Sequence, residues 1–181
     1  PVTDADMKIT GKNVPYWRKW LTHNSNDSYW ESISFLDSLP NIKIPILLQS
    51  GWYDTHNIGT TMAWEALSKS KTPAIKLIIG PWNHSNVVPR YPSTRNTGKE
   101  AAIDLMNTYL RWFDRWLRGT DNGIENEPRV SVYIMNDRRW VYSDDYPLQN
   151  TSFSQLYFTS TQGANSLKGD GRLTWSPPSA G

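Results

Sequence analysis

An α/β fold with a parallel sheet, followed by the opening strands of a β-sandwich, is what this sequence predicts. Three observations lead there. Two short apolar segments, 44–48 and 74–79, flank a helical segment. A long amphipathic helix follows at Lys99 to Arg118. After Pro128 the apolar pattern changes from helical spacing to alternation.

In order along the chain, residues 1–40 read as a polar loop followed by short helical pieces. Trp17, Trp20 and Leu21 are spaced as on one helix face, and Trp30, Ile33 and Leu36 fall three apart, with Asp27 or Ser28 as the N-cap. Ile44-Pro45-Ile46-Leu47-Leu48 is apolar without alternation, as in a strand buried on both faces; Pro45 fits only at its start. A helix is expected over 59–69 on Met62, Ala63, Ala66 and Leu67, ended by Lys71-Thr72-Pro73. Ala74–Ile79 then supplies a second strand, so that strand, helix and strand make one right-handed crossover. A loop rich in Pro, Asn and Ser runs to about Thr97. In the next helix apolar residues fall at 102, 105, 106, 109, 110, 113, 116 and 117, and Gly119 is placed to cap its C-terminus. Thr120–Pro128 is a polar junction. Beyond it Val130, Val132 and Ile134 alternate with Ser131 and Tyr133, the period of a half-buried antiparallel strand. Trp140-Val141-Tyr142 and Phe153 to Phe158 continue the strand-and-turn pattern, and the last residues are rich in Ser, Gly, Thr and Pro.

Composition removes several classes of function. Hydrophobic residues make up 38% and charged residues 20%, the balance of a globular chain rather than a disordered one. The net charge of +2 arises from interspersed charges, and the longest basic cluster, Arg138-Arg139, sits beside Asp137, Asp144 and Asp145. No nucleic-acid partner is therefore expected. The absence of Cys removes a disulfide framework, a thiolate zinc site and a cysteine nucleophile. No apolar run is long enough for a membrane span. Ten Trp and nine Tyr against four Phe is an unusual mix: these rings bury an apolar body but carry a polar tip that needs a partner.

In doubly wound sheets, functional residues sit just beyond the C-terminal ends of the strands. Gly51-Trp52-Tyr53-Asp54 follows the first strand and Gly80-Pro81-Trp82-Asn83-His84 the second. Each opens with Gly, read as a sharp turn out of the sheet, and presents an ionisable group three or four residues later. A carboxylate can fix the tautomer of an imidazole on the adjacent loop, whose other nitrogen then deprotonates a hydroxyl nucleophile. Carboxylate before histidine, 30 residues apart, leaves room for one helix and one strand. Two other readings compete: Asp54 as a helix N-cap with a structural His84, and a metal held by Asp54, His56 and His84. The three lack a recognisable zinc or iron spacing, so no metal and no cofactor is assigned.

These motifs, with Arg115-Trp116-Leu117-Arg118-Gly119 and the Tyr16-Trp17 to Trp30 region, resemble the X-prolyl dipeptidyl-peptidase and cocaine-esterase family of serine hydrolases. The resemblance implies Asp54 as acid and His84 as base of a Ser-His-Asp triad, in the α/β-hydrolase chain order of Ser, acid, His. It implies that residues 1–40 end a helical cap and that 41–120 form the C-terminal part of an α/β-hydrolase domain. Residues 128–181 would begin a C-terminal β-sandwich of jelly-roll type. Relatives that cleave α-amino esters resemble one another in carrying acidic residues just after the triad Asp. Thr55, His56 and Asn57 stand here instead, and they offer no carboxylate to an α-ammonium group.

No Gly-x-Ser-x-Gly occurs in the sequence, so neither nucleophile elbow nor oxyanion hole is visible. Ser68-Lys69-Ser70-Lys71 matches Ser-x-x-Lys but falls at a polar helix end, and Ser85 adjoins His84 too closely to face its ring. The nucleophile is expected outside this chain, which alone should be inactive. The expected substrate is a small ester or amide or a short peptide. Oligomeric state, homo-oligomers included, and compartment, cytoplasmic or secreted, stay open. The alternative is a non-catalytic carbohydrate- or peptide-binding module derived from such a hydrolase.

Overall fold

The structure, a computed structural model, describes residues 2–85 and 97–178, in two compact units that divide between Tyr146 and Pro147. Most of the expected loop up to Thr97 lies outside the described residues.

The first unit opens with three short helices, α1 (Ala5–Thr10), α2 (Pro15–Thr22) and α3 (Ser28–Ile33). Pro15 occupies the first turn of α2, where its missing N–H costs no helical hydrogen bond. Asp27 caps α3 by accepting the Tyr29 N–H. α3 stops at Ile33, and Leu36–Asn41 winds instead as a 3-10 segment containing Pro40. Asp6 ties the first two helices together. Its carboxylate takes both Arg18 Nε, at 2.8 Å, and Nη2, at 3.0 Å, together with the backbone N–H groups of Val14 and Met7.

A four-stranded mixed sheet follows, built from β1 (Ile46–Tyr53), β2 (Ile75–Asn83), β3 (Val130–Ile134) and β4 (Arg139–Ser143) in that spatial order. β1 pairs parallel with β2 and β2 parallel with β3, while β3 and β4 are antiparallel. Helix α4 (Asn57–Ser68) joins β1 to β2, as the strand–helix–strand pattern requires. α5 (Leu105–Arg118) lies between β2 and β3 in sequence and packs Leu105 into a cluster with Ile78 and Trp82, against which Tyr109 and Trp140 also lie. The protein is α/β.

Several elements depart from the sequence reading. Both parallel strands run further than expected, through Tyr53 and Asn83, so the two Gly-led segments are strand and not loop. The long helix begins at Leu105, because Asp104 caps it and the Lys99–Ala101 turn before it is 3-10. Gly119 does cap its C-terminus, in the left-handed conformation at φ 70°. In α4 Leu67 is buried as expected, at 2% exposure, but the other deeply buried residue is Trp64, at 1%, whereas Met62 is 45% exposed. Finally, Val130–Ile134 is not half-buried: Ser131 and Tyr133 are as enclosed as Val130 and Val132. Tyr133 achieves this by donating its hydroxyl to the Thr97 carbonyl at 2.5 Å. These strands, expected to open a separate sandwich, are hydrogen-bonded into the sheet of β1 and β2. Alternation in polarity reveals a strand but not the sheet that it joins.

Indoles of β1, α4 and β2 place their N–H groups on backbone carbonyls. Trp52 donates to the Tyr133 carbonyl, Trp64 to that of Tyr146 and Trp82 to that of Ser50. Lys76 is buried on the central strand, paired with Glu127 at 3.1 Å and donating to the Pro128 carbonyl. Arg111 of α5 holds the other oxygen of the same Glu127.

The second unit contains one antiparallel pair, β5 (Tyr157–Thr159) with β6 (Arg172–Thr174). Asp170 closes its turn by accepting from Ser160, from the Thr161 hydroxyl and backbone, and from the Gln162 N–H.

Candidate active site

The register of β1 against β2 contains one irregularity, and it lies in the two motifs. Gly51 stands opposite Gly80, but Tyr53 stands opposite Asn83. Pro81 and Trp82 of β2 thus stand against Trp52 of β1, two residues against one, the count of a β-bulge. Continued unbroken, the register would set Asp54 opposite Asn83. The extra residue brings Asp54 level with His84 instead. The sequence carries this offset: acid three residues after its Gly, histidine four after its own.

The two glycines make the bulge sterically feasible. A Cβ on Gly51 would collide with the backbone carbonyl of Trp82, and one on Gly80 with the Trp82 indole. The ring lies over both glycines and is fastened by its N–H to the Ser50 carbonyl at 2.9 Å. Neither glycine has a positive φ. Their purpose is close approach of backbone and indole, not the sharp exit from the sheet expected from sequence.

Asp54 leaves β1 in a tight turn, its N–H bonded to the Gly51 carbonyl at 3.0 Å, with α4 starting three residues later at Asn57. Its side chain is 9% exposed and accepts the backbone N–H of His56 at 2.9 Å. This is an Asx turn and not a helix cap: the N-cap of α4 is His56, without a side-chain cap bond, so the N-cap reading of Asp54 is not realised. His84 brings Nδ1 to 3.3 Å from both carboxylate oxygens. Its Nε2 is left for other partners, on a side chain that is 68% exposed. Burial of the Asp54 carboxyl pushes its pKa up. The His56 N–H and the His84 and His56 rings outweigh that, and the net position is below the ordinary aspartate value. Asp54 is a carboxylate at neutral pH.

A third group converges on the same spot. His56 Nδ1 lies 3.3 Å from Asp54 Oδ1, and the two imidazole rings are 4.7 Å apart. The sequence flagged His56 as a partner in chelation and as a non-acidic neighbour of Asp54; that its ring would share the carboxylate with His84 depended on the turn that brings it back. The other flagged residues go elsewhere. Ser68 and Ser70 hydroxyls donate to the Glu65 and Leu67 carbonyls, and Lys69 pairs with Glu65, which is ordinary helix-end bonding. The Ser85 N–H is bound by the Asn83 side chain.

Residues 3–86 match the family model described as X-Pro dipeptidyl-peptidase (S15 family), and residues 122–181 match that of the X-Pro dipeptidyl-peptidase C-terminal non-catalytic domain. The chain belongs to the X-Pro dipeptidyl-peptidase and cocaine-esterase family. The first match ends just past His84 and contains the whole Asp54–His84 arrangement. The second begins ahead of β3 and takes in both β3 and β4 as well as the second unit. The cocaine esterase of Rhodococcus sp. (strain MB1 Bresler) is 30% identical over 95% of this chain. The chain spans 30% of that esterase's length. Among solved structures, an aminopeptidase from the marine sediment archaeon Thaumarchaeota archaeon superposes with a TM-score of 0.61 at 20% identity, over 98% of this chain and 28% of its own. A CocE/NonD family hydrolase from Staphylococcus aureus gives 0.57 at 17% identity, over 82% and 24%. At those identities the likeness is one of fold. The family is one of hydrolases, with esterases and X-Pro dipeptidyl-peptidases in it. Among the described residues no helix is long and apolar enough to cross a membrane.

Proposed function

We propose that this chain supplies the acid, Asp54, and the base, His84, of a serine hydrolase that cleaves an ester or amide. The nucleophile and oxyanion hole come from a part of the protein outside the chain. The observation that carries the proposal is the β-bulge that levels Asp54 with His84 and sets Nδ1 of the imidazole 3.3 Å from the carboxylate.

In the proposed cycle the serine hydroxyl attacks the carbonyl carbon while His84 Nε2 takes its proton. The imidazolium is stabilised by Asp54 through Nδ1–H and returns the proton to the leaving alcohol or amine. Water then repeats the sequence on the acyl-enzyme. Asp54 suits its role because it is enclosed, ionised and fixed by a backbone N–H. Thr55, His56 and Asn57 supply no negative charge beside it, which favours esters or amides without an α-ammonium group. In the same reading residues 1–40 are the end of a helical cap, 41–120 the C-terminal part of the hydrolase domain, and the residues from 128 the start of a jelly-roll domain whose first two strands, β3 and β4, extend the sheet of β1 and β2.

The test uses the full-length protein and p-nitrophenyl acetate. His84→Ala and Asp54→Asn are each expected to lower kcat by about 10³–10⁴-fold, with unchanged circular dichroism. Rates like those of the unmodified enzyme in either variant would remove both residues from the mechanism. A full-length protein with no turnover and no serine nucleophile would instead be the binding module.

A further inference from the structure

The triad accounts for one imidazole at Asp54, and the structure holds two. Asp54 Oδ1 lies 3.3 Å from His56 Nδ1 and 3.3 Å from His84 Nδ1. One atom from each of the three residues can be chosen so that all lie within 4.8 Å of one another. The two measured separations have a specific meaning for a metal ion. Zinc bound to nitrogen and oxygen at about 2.0–2.1 Å in a tetrahedron has ligand atoms about 3.3 Å apart along every edge.

We propose that Asp54, His56 and His84 form a binding site for a zinc-like divalent cation, which inhibits the hydrolase when bound. Two imidazoles and one carboxylate make a set that suits Zn²⁺, Co²⁺ or Ni²⁺ and not Mg²⁺ or Ca²⁺, which take mostly oxygen. The residues come from the two ends of one turn and from the position just past the neighbouring strand, a short chelate closed by a distant third ligand. Asp54 is oriented by the His56 N–H, the outer hydrogen bond that ligating carboxylates usually carry. Both rings are exposed, so the ion can enter from solvent and keep water in its fourth position, and either ring can turn to close the remaining edge.

Inhibition follows from which atom the metal uses. In the triad, His84 Nδ1 must carry a proton and donate it to Asp54. In the metal site, that nitrogen must be deprotonated and give its lone pair to the cation. The two states exclude each other. Only this inhibitory consequence rests on the proposed triad; binding of the ion does not.

The experiment titrates Co²⁺ into the full-length protein and its His56→Ala variant, reading the visible absorption of tetrahedral Co²⁺, with Mg²⁺ as control. Zn²⁺ is titrated in parallel against hydrolysis of p-nitrophenyl acetate, with chelator added afterwards. One tetrahedral Co²⁺ per chain is expected, at least about tenfold weaker in His56→Ala, with no displacement by Mg²⁺. Zn²⁺ should inhibit over the range in which it binds, and the chelator should restore turnover. No tetrahedral band at millimolar Co²⁺, or equal binding in the variant, would overturn the metal site. Binding with the expected His56 dependence but without inhibition of an active enzyme would uphold the site and count against His84 as the base.

Discussion

Gly51 and Trp82 determine the geometry of the site more directly than any residue in it. The indole crosses both motif glycines, and its backbone carbonyl occupies the space where a Gly51 side chain would stand. Because that obstacle is backbone, no rotamer change relieves it. Gly51→Ala is therefore expected to destabilise the fold by about 1–3 kcal/mol, as overpacking does. It should also move Asp54 away from His84, so activity of the full-length protein falls by more than the stability loss explains. Urea denaturation and kcat on the same variant separate the two effects; a loss of stability alone would mean that the bulge survives the extra methyl. Asp6 is the comparable residue in the first helices. The Val14 N–H, the Arg18 guanidinium and the Met7 N–H together hold its pKa below the ordinary aspartate value against burial.

At the scale of elements, α5 carries two apolar rows, and only one is covered. Leu105 and Trp112 are buried, whereas Met106, Leu110, Phe113 and Leu117 are each more than half exposed. The broad stripe in the sequence did not distinguish them. Trp112→Ala is expected to cost about 3–5 kcal/mol, and Leu110→Ser about 0.5 kcal/mol or less. Equal costs in urea denaturation would mean that both rows are enclosed. The same helix is tied to β2 through Glu127, which answers Lys76 and Arg111 together. Glu127→Ala leaves the Lys76 ammonium buried with only the Pro128 carbonyl and should cost about 1–3 kcal/mol. Burial pushes the Glu127 pKa up, but Arg111 and Lys76 outweigh it, so the folded value lies below the ordinary 4.5. The sign follows: the folded state binds fewer protons than the unfolded state in this range. The stabilisation from Glu127 is complete above pH 4.5 and is lost as pH falls through the folded value. The urea midpoint should therefore drop between pH 5 and pH 3 by less in Glu127→Gln than in the unmodified chain, about 4 being the ordinary carboxylate midpoint.

For the whole molecule, local chemistry and long-range pairing contributed differently. The apolar runs at 44–48 and 74–79, the caps Asp27 and Gly119, and the Gly-led segments that carry Asp54 and His84 were legible because each depends on neighbours in the chain. A buried parallel strand, a helix end and a Gly-led motif have short-range signatures. What the sequence by itself determined is thus an α/β protein of a hydrolase family with an aspartate and a histidine at consecutive strand ends. The tertiary structure alone decided three things. It placed β3 and β4 in the sheet of β1 and β2, since strand patterning does not name a partner. It set Asp54 level with His84, since a bulge becomes real only when two strands are aligned. And it brought His56 back to the same carboxylate, since a turn's direction is fixed by hydrogen bonds to Gly51 and Asp54 that form once the strand end is in place.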